Sequence, residues 1–351
     1  MFGMPNNGSL MRKVHFPPSR LVFSAIVALS GGLVASCGTG SGANPEQVTV
    51  YTGRHYGIEA VFDEFTEDTG IEVRFTTGSD PELRERLVAE GANTPADVVI
   101  TADAANIELA ASAGLLAALD SDTLRGAIPE ELRSEKNEWF ALSRRLRVIM
   151  HSTERVSEPP RSYADLGGSA WSKRLCLRPS THPYTQSLVA SLILNQGAEK
   201  AESIVEGWVA NEPLYINSDT DILKAISAGD CDVAITNTYY LARLLDEDPA
   251  TPVAISWPEQ PTTGAHLNVS TGAVLASAPN PGGARRLLEW LATKGQKTFS
   301  DANFEYPADP SVAPADLIVG FGEHTADLAA VRQLGRLNQD AVALLSRVGH
   351  E

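Results

Sequence analysis

A chain of 351 residues with 43% hydrophobic and 21% charged residues is long enough for two ordinary domains and too apolar to be largely disordered. Its formal net charge of −16 sets up a field that repels polyanions, which argues against nucleic acid as a partner. Acidity alone does not specify a metal function, because many exported proteins are acidic for solubility.

In chain order, the first signal is an export leader. Arg12, Lys13 and Arg20 precede an apolar run from Leu21 to Val34, the charged and hydrophobic regions of a signal peptide over residues 1–36. The run is too short, and too interrupted by Ser and Gly, to read as a membrane span. It ends in LVASC, which resembles the bacterial lipoprotein cleavage box, with Cys37 lipidated; an ordinary signal peptide with an incidental Cys is the other reading. Residues 37–47, rich in Gly and Ser, read as a flexible tether. The expected location is therefore the cell envelope outside the cytoplasm, with the N-terminal lipid as the membrane contact. Translation from Met11 would preserve all of this.

A β/α alternation follows. VTVYT (Val48 to Thr52) alternates as a strand, and Val61, Phe62 and Phe65 define one buried face of a helix from Ile58 to Thr69. IEVRFTT is a second strand, Asp80 and Pro81 open a helix ending at Gly91, and ADVVITAD has the continuous apolar centre of a strand buried on both faces. The extended WFALSRRLRVIMHS breaks the rhythm as the chain leaves the first domain. A second set comprises RLCLRPS, helices near 185–195 and 201–209, DTDILKAISAG and the strand CDVAITN. HLNVSTGAVLAS is the return crossing, and amphipathic helices follow at Gly283 to Thr293 and from about Thr325 to the C-terminus. Such alternation predicts an α/β protein with mixed, mostly parallel sheets, two hinge crossings and a central cleft. The lobes are expected at 48–148 plus 269–320 and at 149–268 plus 321–351. Hinge closure over a ligand is the expected mechanism.

With Cys37 assigned, Cys176 and Cys231 remain, each in a short apolar strand. Outside the cytoplasm an even pair invites a disulfide, with two buried thiols as the alternative.

Three strings place tyrosines just past strand ends or at a helix mouth: TGRHYG with His55 and Tyr56, STHPYTQSLVASL with Tyr184, and ITNTYYLARL with Tyr239 and Tyr240. In open α/β sheets ligands lie beyond the carboxyl ends of strands, so the three strings can converge. From about Val48 to the end, and through EGANTPADVVITAD, WFALSRRLRVIM, NTYYLARL and LGRLNQDAVALLSRVG, the chain resembles the bacterial periplasmic ferric-iron-binding proteins. The resemblance is to the branch with a His-Tyr pair, one isolated Tyr and a Tyr-Tyr pair. It implies a two-lobed periplasmic-binding-protein fold, and a monomer that delivers Fe(III) to the permease of an ABC importer. It also implies His55, Tyr56, Tyr184, Tyr239 and Tyr240 as ligands.

The chemistry is consistent. Fe(III) is a hard cation suited to phenolate oxygen. Four phenolates against a trivalent ion leave one negative charge, which a nearby arginine should balance. Arg243 follows the Tyr-Tyr pair at helical spacing, and Arg54 and Arg147 are further candidates. His182 is a second histidine close by, and NSDTD before the helix at Ile222 offers Ser218 and backbone amides to an anion, although Asp219 and Asp221 oppose negative charge there. The rival reading is the same architecture for another solute, such as a polyamine or a phosphorylated compound. An extracytoplasmic hydrolase is disfavoured, since neither a Gly-x-Ser-x-Gly elbow nor a His-Glu-x-x-His helix occurs.

Overall fold

Residues 46–54, 56–260 and 262–351 are described by the structure, a computed structural model. The expected leader, Cys37, most of the tether and His55 lie outside the described residues.

Strand β1 (Gln47–Thr52) turns Val48 and Val50 into the core. Helix α1 (Ile58–Thr69) buries Ile58, Val61, Phe62 and Phe65 on one face and stops on Gly70, so its bounds are those read from the periodicity. Strand β2 (Glu72–Thr77) follows, then helix α2 (Asp80–Glu90), where Ser79 and Glu82 form a capping box ahead of Pro81 in the first turn. Strand β3 (Val98–Thr101) is buried throughout, and Asp103 caps helix α3 (Ala104–Ser112). Helix α4 (Asp122–Ala127) precedes the long strand β4 (Phe140–Ser152). The second set runs β5 (Leu175–Leu177), α5 (Pro183–Gln196), α6 (Ala198–Ala210), β6 (Leu214–Tyr215), α7 (Asp219–Ala228), β7 (Val233–Asn237) and α8 (Thr238–Glu247). Strands β8 (Val253–Ser256) and β9 (Ala265–Val274) lead to α9 (Pro281–Leu291), α10 (Gln296–Asp301), β10 (Tyr306–Pro307), α11 (Asp316–Val319), β11 (Ala326–Asp327) and α12 (Asn338–Arg347).

The strands form one sheet with the main order β2-β1-β3-β9-β4-β7-β5-β6. Each flank is parallel, β2-β1-β3 on one side and β7-β5-β6 on the other. The centre is antiparallel, because β4 and β9 are the two crossing segments and run against each other and against β3 and β7. The sheet is therefore mixed, with a larger antiparallel share than the β/α alternation by itself implied. Cross-strand partners share a face. Ser143, Arg145 and Arg147 of β4 accordingly lie on the same face as Ser270, Asn268 and His266 of β9, and all six are buried.

One expected element is corrected. Regular helix does not begin near Thr325: Ala326–Asp327 pairs parallel with β9, and the last α-helix begins only at Asn338. Tertiary contacts override the amphipathic pattern here. Gly264 has φ 86°, and a Cβ on it would lie 2.6 Å from the Thr325 carbonyl, so its bare backbone lets the segment lie against β9. The Asp327 carboxylate then accepts from Ser191 and Asn195 of α5. Among the described residues, no helix is long and apolar enough to cross a membrane.

Cys176 in β5 and Cys231 just before β7 form a disulfide, with Cα atoms 5.9 Å apart and a sequence separation of 55. The β5–β7 pairing is what brings them together. Replacing both by Ser is expected to cost roughly 4 kcal/mol of stability by the loop-entropy model. Urea unfolding of the variant beside the oxidised wild type measures this; equal midpoints would show that the link adds nothing.

Candidate metal centre

Tyr56 follows the carboxyl end of β1. The next residue, Gly57, has φ 63°, and a Cβ there would lie 2.9 Å from that of Ala302, so glycine is needed to turn the chain into α1. Tyr184 sits in the first turn of α5. Pro183 pre-sets the helix, and the His182 ring caps it, Nδ1 accepting the Tyr184 amide at 3.2 Å. Tyr239 and Tyr240 open α8 directly after β7, and their ring centroids are 4.1 Å apart.

The four tyrosines line one cavity of about 310 Å³. The Tyr184 and Tyr239 hydroxyls are 3.4 Å apart. Tyr239 is 2% exposed, whereas Tyr56 at 37% faces the opening, where the Arg243 guanidinium lies 4.2 Å from its ring centroid. Burial raises the phenols of Tyr184, Tyr239 and Tyr240 above their ordinary value, and the nearby Tyr184 adds to the rise for Tyr239 and Tyr240. These phenols are therefore neutral near pH 7, and only a strongly charged cation can deprotonate them there. Burial, then the charges of Arg178 and Arg147, pushes the His182 imidazole down to about 3, so the ring is neutral and serves as a cap.

The arginines divide by whether their charge is already matched. Arg54 lines the cavity, but Nη1 donates to Glu305 at 2.6 Å and Nη2 to the Phe299 carbonyl. Arg147 is paired with Asp219 at 2.8 Å, and Arg178 lies 3.5 Å from the same carboxylate. Arg145 is different and was not singled out in the sequence. It is 1% exposed, lies 5.2 Å from the Tyr184 ring centroid, and leaves Nε and Nη2 without a hydrogen-bond partner. Burial opposes its charge, the Glu305 and Asp103 carboxylates favour it, and the guanidinium stays protonated. The signal was present in the alternation of SRRLRV, which sends Arg145 and Arg147 to one face of β4 and Arg144 to the other. Ser218 borders the cavity but is engaged as the N-cap of α7, accepting the Asp221 amide at 3.2 Å. Among the described residues, no cluster of three or more His, Cys, Asp and Glu is arranged to hold a metal. The four phenols share the cavity lining with Asp219, Glu305 and His182, and both carboxylates are paired with arginines.

Asp80 lies behind the cavity, where the Ala102 amide donates to both its oxygens at 3.0–3.1 Å. Burial, with Asp103 nearby, pushes its carboxyl up to about 7 against those hydrogen bonds and the Arg145 charge. The folded-state value lies above the unfolded one of about 4, so folding takes up a proton between these values and stability falls as pH rises through that window. Asp80→Asn keeps an acceptor for the amide and is expected to flatten the slope of Tm between pH 4 and 8. A slope identical to wild type would remove Asp80 as its source.

The bacterial extracellular solute-binding protein family matches residues 51–298. Iron uptake protein A1 of Synechocystis sp. is 34% identical over 355 residues, covering 94% of this chain and 98% of the relative. Among solved structures, Trichodesmium IdiA (FutA), in complex with iron and citrate ligands, superposes with a TM-score of 0.82 at 40% identity, over 87% of this chain and 100% of that one. The ferric binding protein from Campylobacter jejuni gives a TM-score of 0.82 at 31% identity, over 87% of this chain and 100% of that one. With matches of this breadth in sequence and structure, the chain belongs to the bacterial extracellular solute-binding proteins, stands among relatives named for ferric iron, and is a transport binding protein, not an enzyme.

Proposed function

We propose that this protein binds Fe(III) in its cleft through the phenolates of Tyr56, Tyr184, Tyr239 and Tyr240 with the His55 imidazole, and delivers it to the permease of an ABC importer. The observation that carries the reading is the meeting of four tyrosines, from three separate turns, around one cavity. Phenolate is a hard, anionic oxygen donor, and four of them overbalance a trivalent ion by one negative charge. The guanidinium of Arg145 beneath Tyr184, whose Nε and Nη2 have no hydrogen-bond partner, supplies the compensating charge, and Arg243 stacks on Tyr56 at the opening. Arg54 and Arg147 hold Glu305 and Asp219 in place and so shape the walls.

In this reading residues 1–36 export the chain, Cys37 carries the lipid, and the tether lets a monomeric body work at the membrane surface. The two flanks of the sheet are the lobes, 48–148 plus 269–320 and 149–268 plus 321–351, hinged through β4 and β9.

Ferric loading tests the proposal, because Fe(III)-phenolate complexes absorb in the visible and are red or orange. The purified protein with ferric citrate is expected to become coloured. A protein that stays colourless, yet binds a polyamine calorimetrically, would favour the rival solute.

A further inference from the structure

Asp103 follows the apolar strand β3 and is 1% exposed. Its Oδ1 accepts the Ala105 amide at 2.9 Å and the Asn106 amide at 3.3 Å, which caps α3. Its Oδ2 faces elsewhere and accepts the Ser187 hydroxyl at 2.6 Å and the Asn268 side-chain amide at 2.5 Å. One carboxylate thus joins three parts of the fold: the β3–α3 turn on the flank that carries Tyr56, the crossing strand β9, and helix α5.

Helix α5 carries Tyr184 one turn before Ser187, so the two residues share a face and move as one body. The helix has a polar stripe at four-residue spacing, Ser187, Ser191 and Asn195. Ser191 and Asn195 bind Asp327 at 3.0 and 2.6 Å, and Asp327 belongs to β11, which is paired with β9. That anchor follows the crossing strand. Ser187 is the member of the stripe that reaches the β3 flank. An outward swing of α5 from that flank has to break the Asp103–Ser187 bond and carries Tyr184 away from Tyr56.

We propose that the Asp103–Ser187 hydrogen bond is a latch made when the cleft closes on its cargo, setting how fast iron leaves without being one of its ligands. The inference deepens the ferric reading above and depends on it. The bond is buried and its acceptor is a carboxylate, the stronger class of hydrogen bond. Ser187→Ala leaves Asp103 with its α3 cap and its Asn268 partner, so the variant removes the latch and little else.

The experiment compares iron-loaded wild type and Ser187→Ala mixed with excess EDTA, following loss of the visible band, with Tm measured for the empty and loaded forms. The variant is expected to release iron about tenfold faster or more, with the band maximum unmoved. It should lose Tm in the loaded form and not in the empty form. An unchanged release rate, or an equal loss of Tm in both forms, makes the bond a permanent structural contact and overturns the latch. A shifted band maximum would mean that Ser187 acts on the ligand set, and would overturn it too. Absence of any band in loaded wild type strikes the ferric reading first, and the latch with it.

Discussion

Replacing Tyr239 by Phe is expected to lower ferric affinity by at least about a hundredfold, since substitutions merely behind a metal's ligands already cost up to about that much. Tyr239 is 2% exposed, and its hydroxyl meets that of Tyr184 at 3.4 Å, a long contact that contributes little to folding. Removing an under-partnered buried hydroxyl leaves a well-packed phenyl ring, so the empty protein should keep or slightly raise its Tm. The large loss thus falls on the cargo and not on the fold. Competition with a chelator, read at the visible band, gives the affinity, and the band itself should weaken or shift as one phenolate leaves the iron. A variant with wild-type affinity and an unaltered spectrum would take Tyr239 out of the ligand set.

Acidification is the second large effect. Burial keeps Tyr184, Tyr239 and Tyr240 neutral until a cation binds, because each phenol is raised above its ordinary value. Iron must therefore expel a proton from each phenol it binds, and affinity falls as pH falls. The sign follows from mass action: protons are products of binding, so adding them reverses it. Each displaced proton weakens binding about tenfold per pH unit, so these three buried phenols alone give roughly a thousandfold per unit. Titration between pH 8 and 5, with chelator protonation accounted for, measures the slope, and calorimetry in buffers of different ionisation enthalpy counts the protons independently. Flat affinity over this range is incompatible with phenolate ligation.

Local elements and ligand candidates were legible for local reasons. Helix α1 runs from Ile58 to Thr69 as its apolar spacing and Gly70 require, and α2 begins at Asp80 because Ser79, Pro81 and Glu82 form its start within a few residues. The tyrosines were visible because they occupy turns next to strongly patterned elements. The capping role of His182 needed more than pattern, since a histidine before Pro183 reads equally well as a ligand or a cap until the ring orientation is known.

What the sequence by itself determined was the succession of strands and helices, the two long extended segments that became β4 and β9, and the donor type at three turns. Those follow from residue spacing and intrinsic conformational preference, which act over a few residues. Only the tertiary structure decided which of the buried arginines among the described residues forms no salt bridge. Arg54 meets Glu305 from 251 residues away and Arg147 meets Asp219 from 72, leaving Arg145 beneath the phenols. It also decided that the stretch after Thr325 lies along β9 and that Asp103 reaches Ser187. These are pairings between residues distant in sequence, and charge partnership depends on distance and burial in space, which no local pattern encodes.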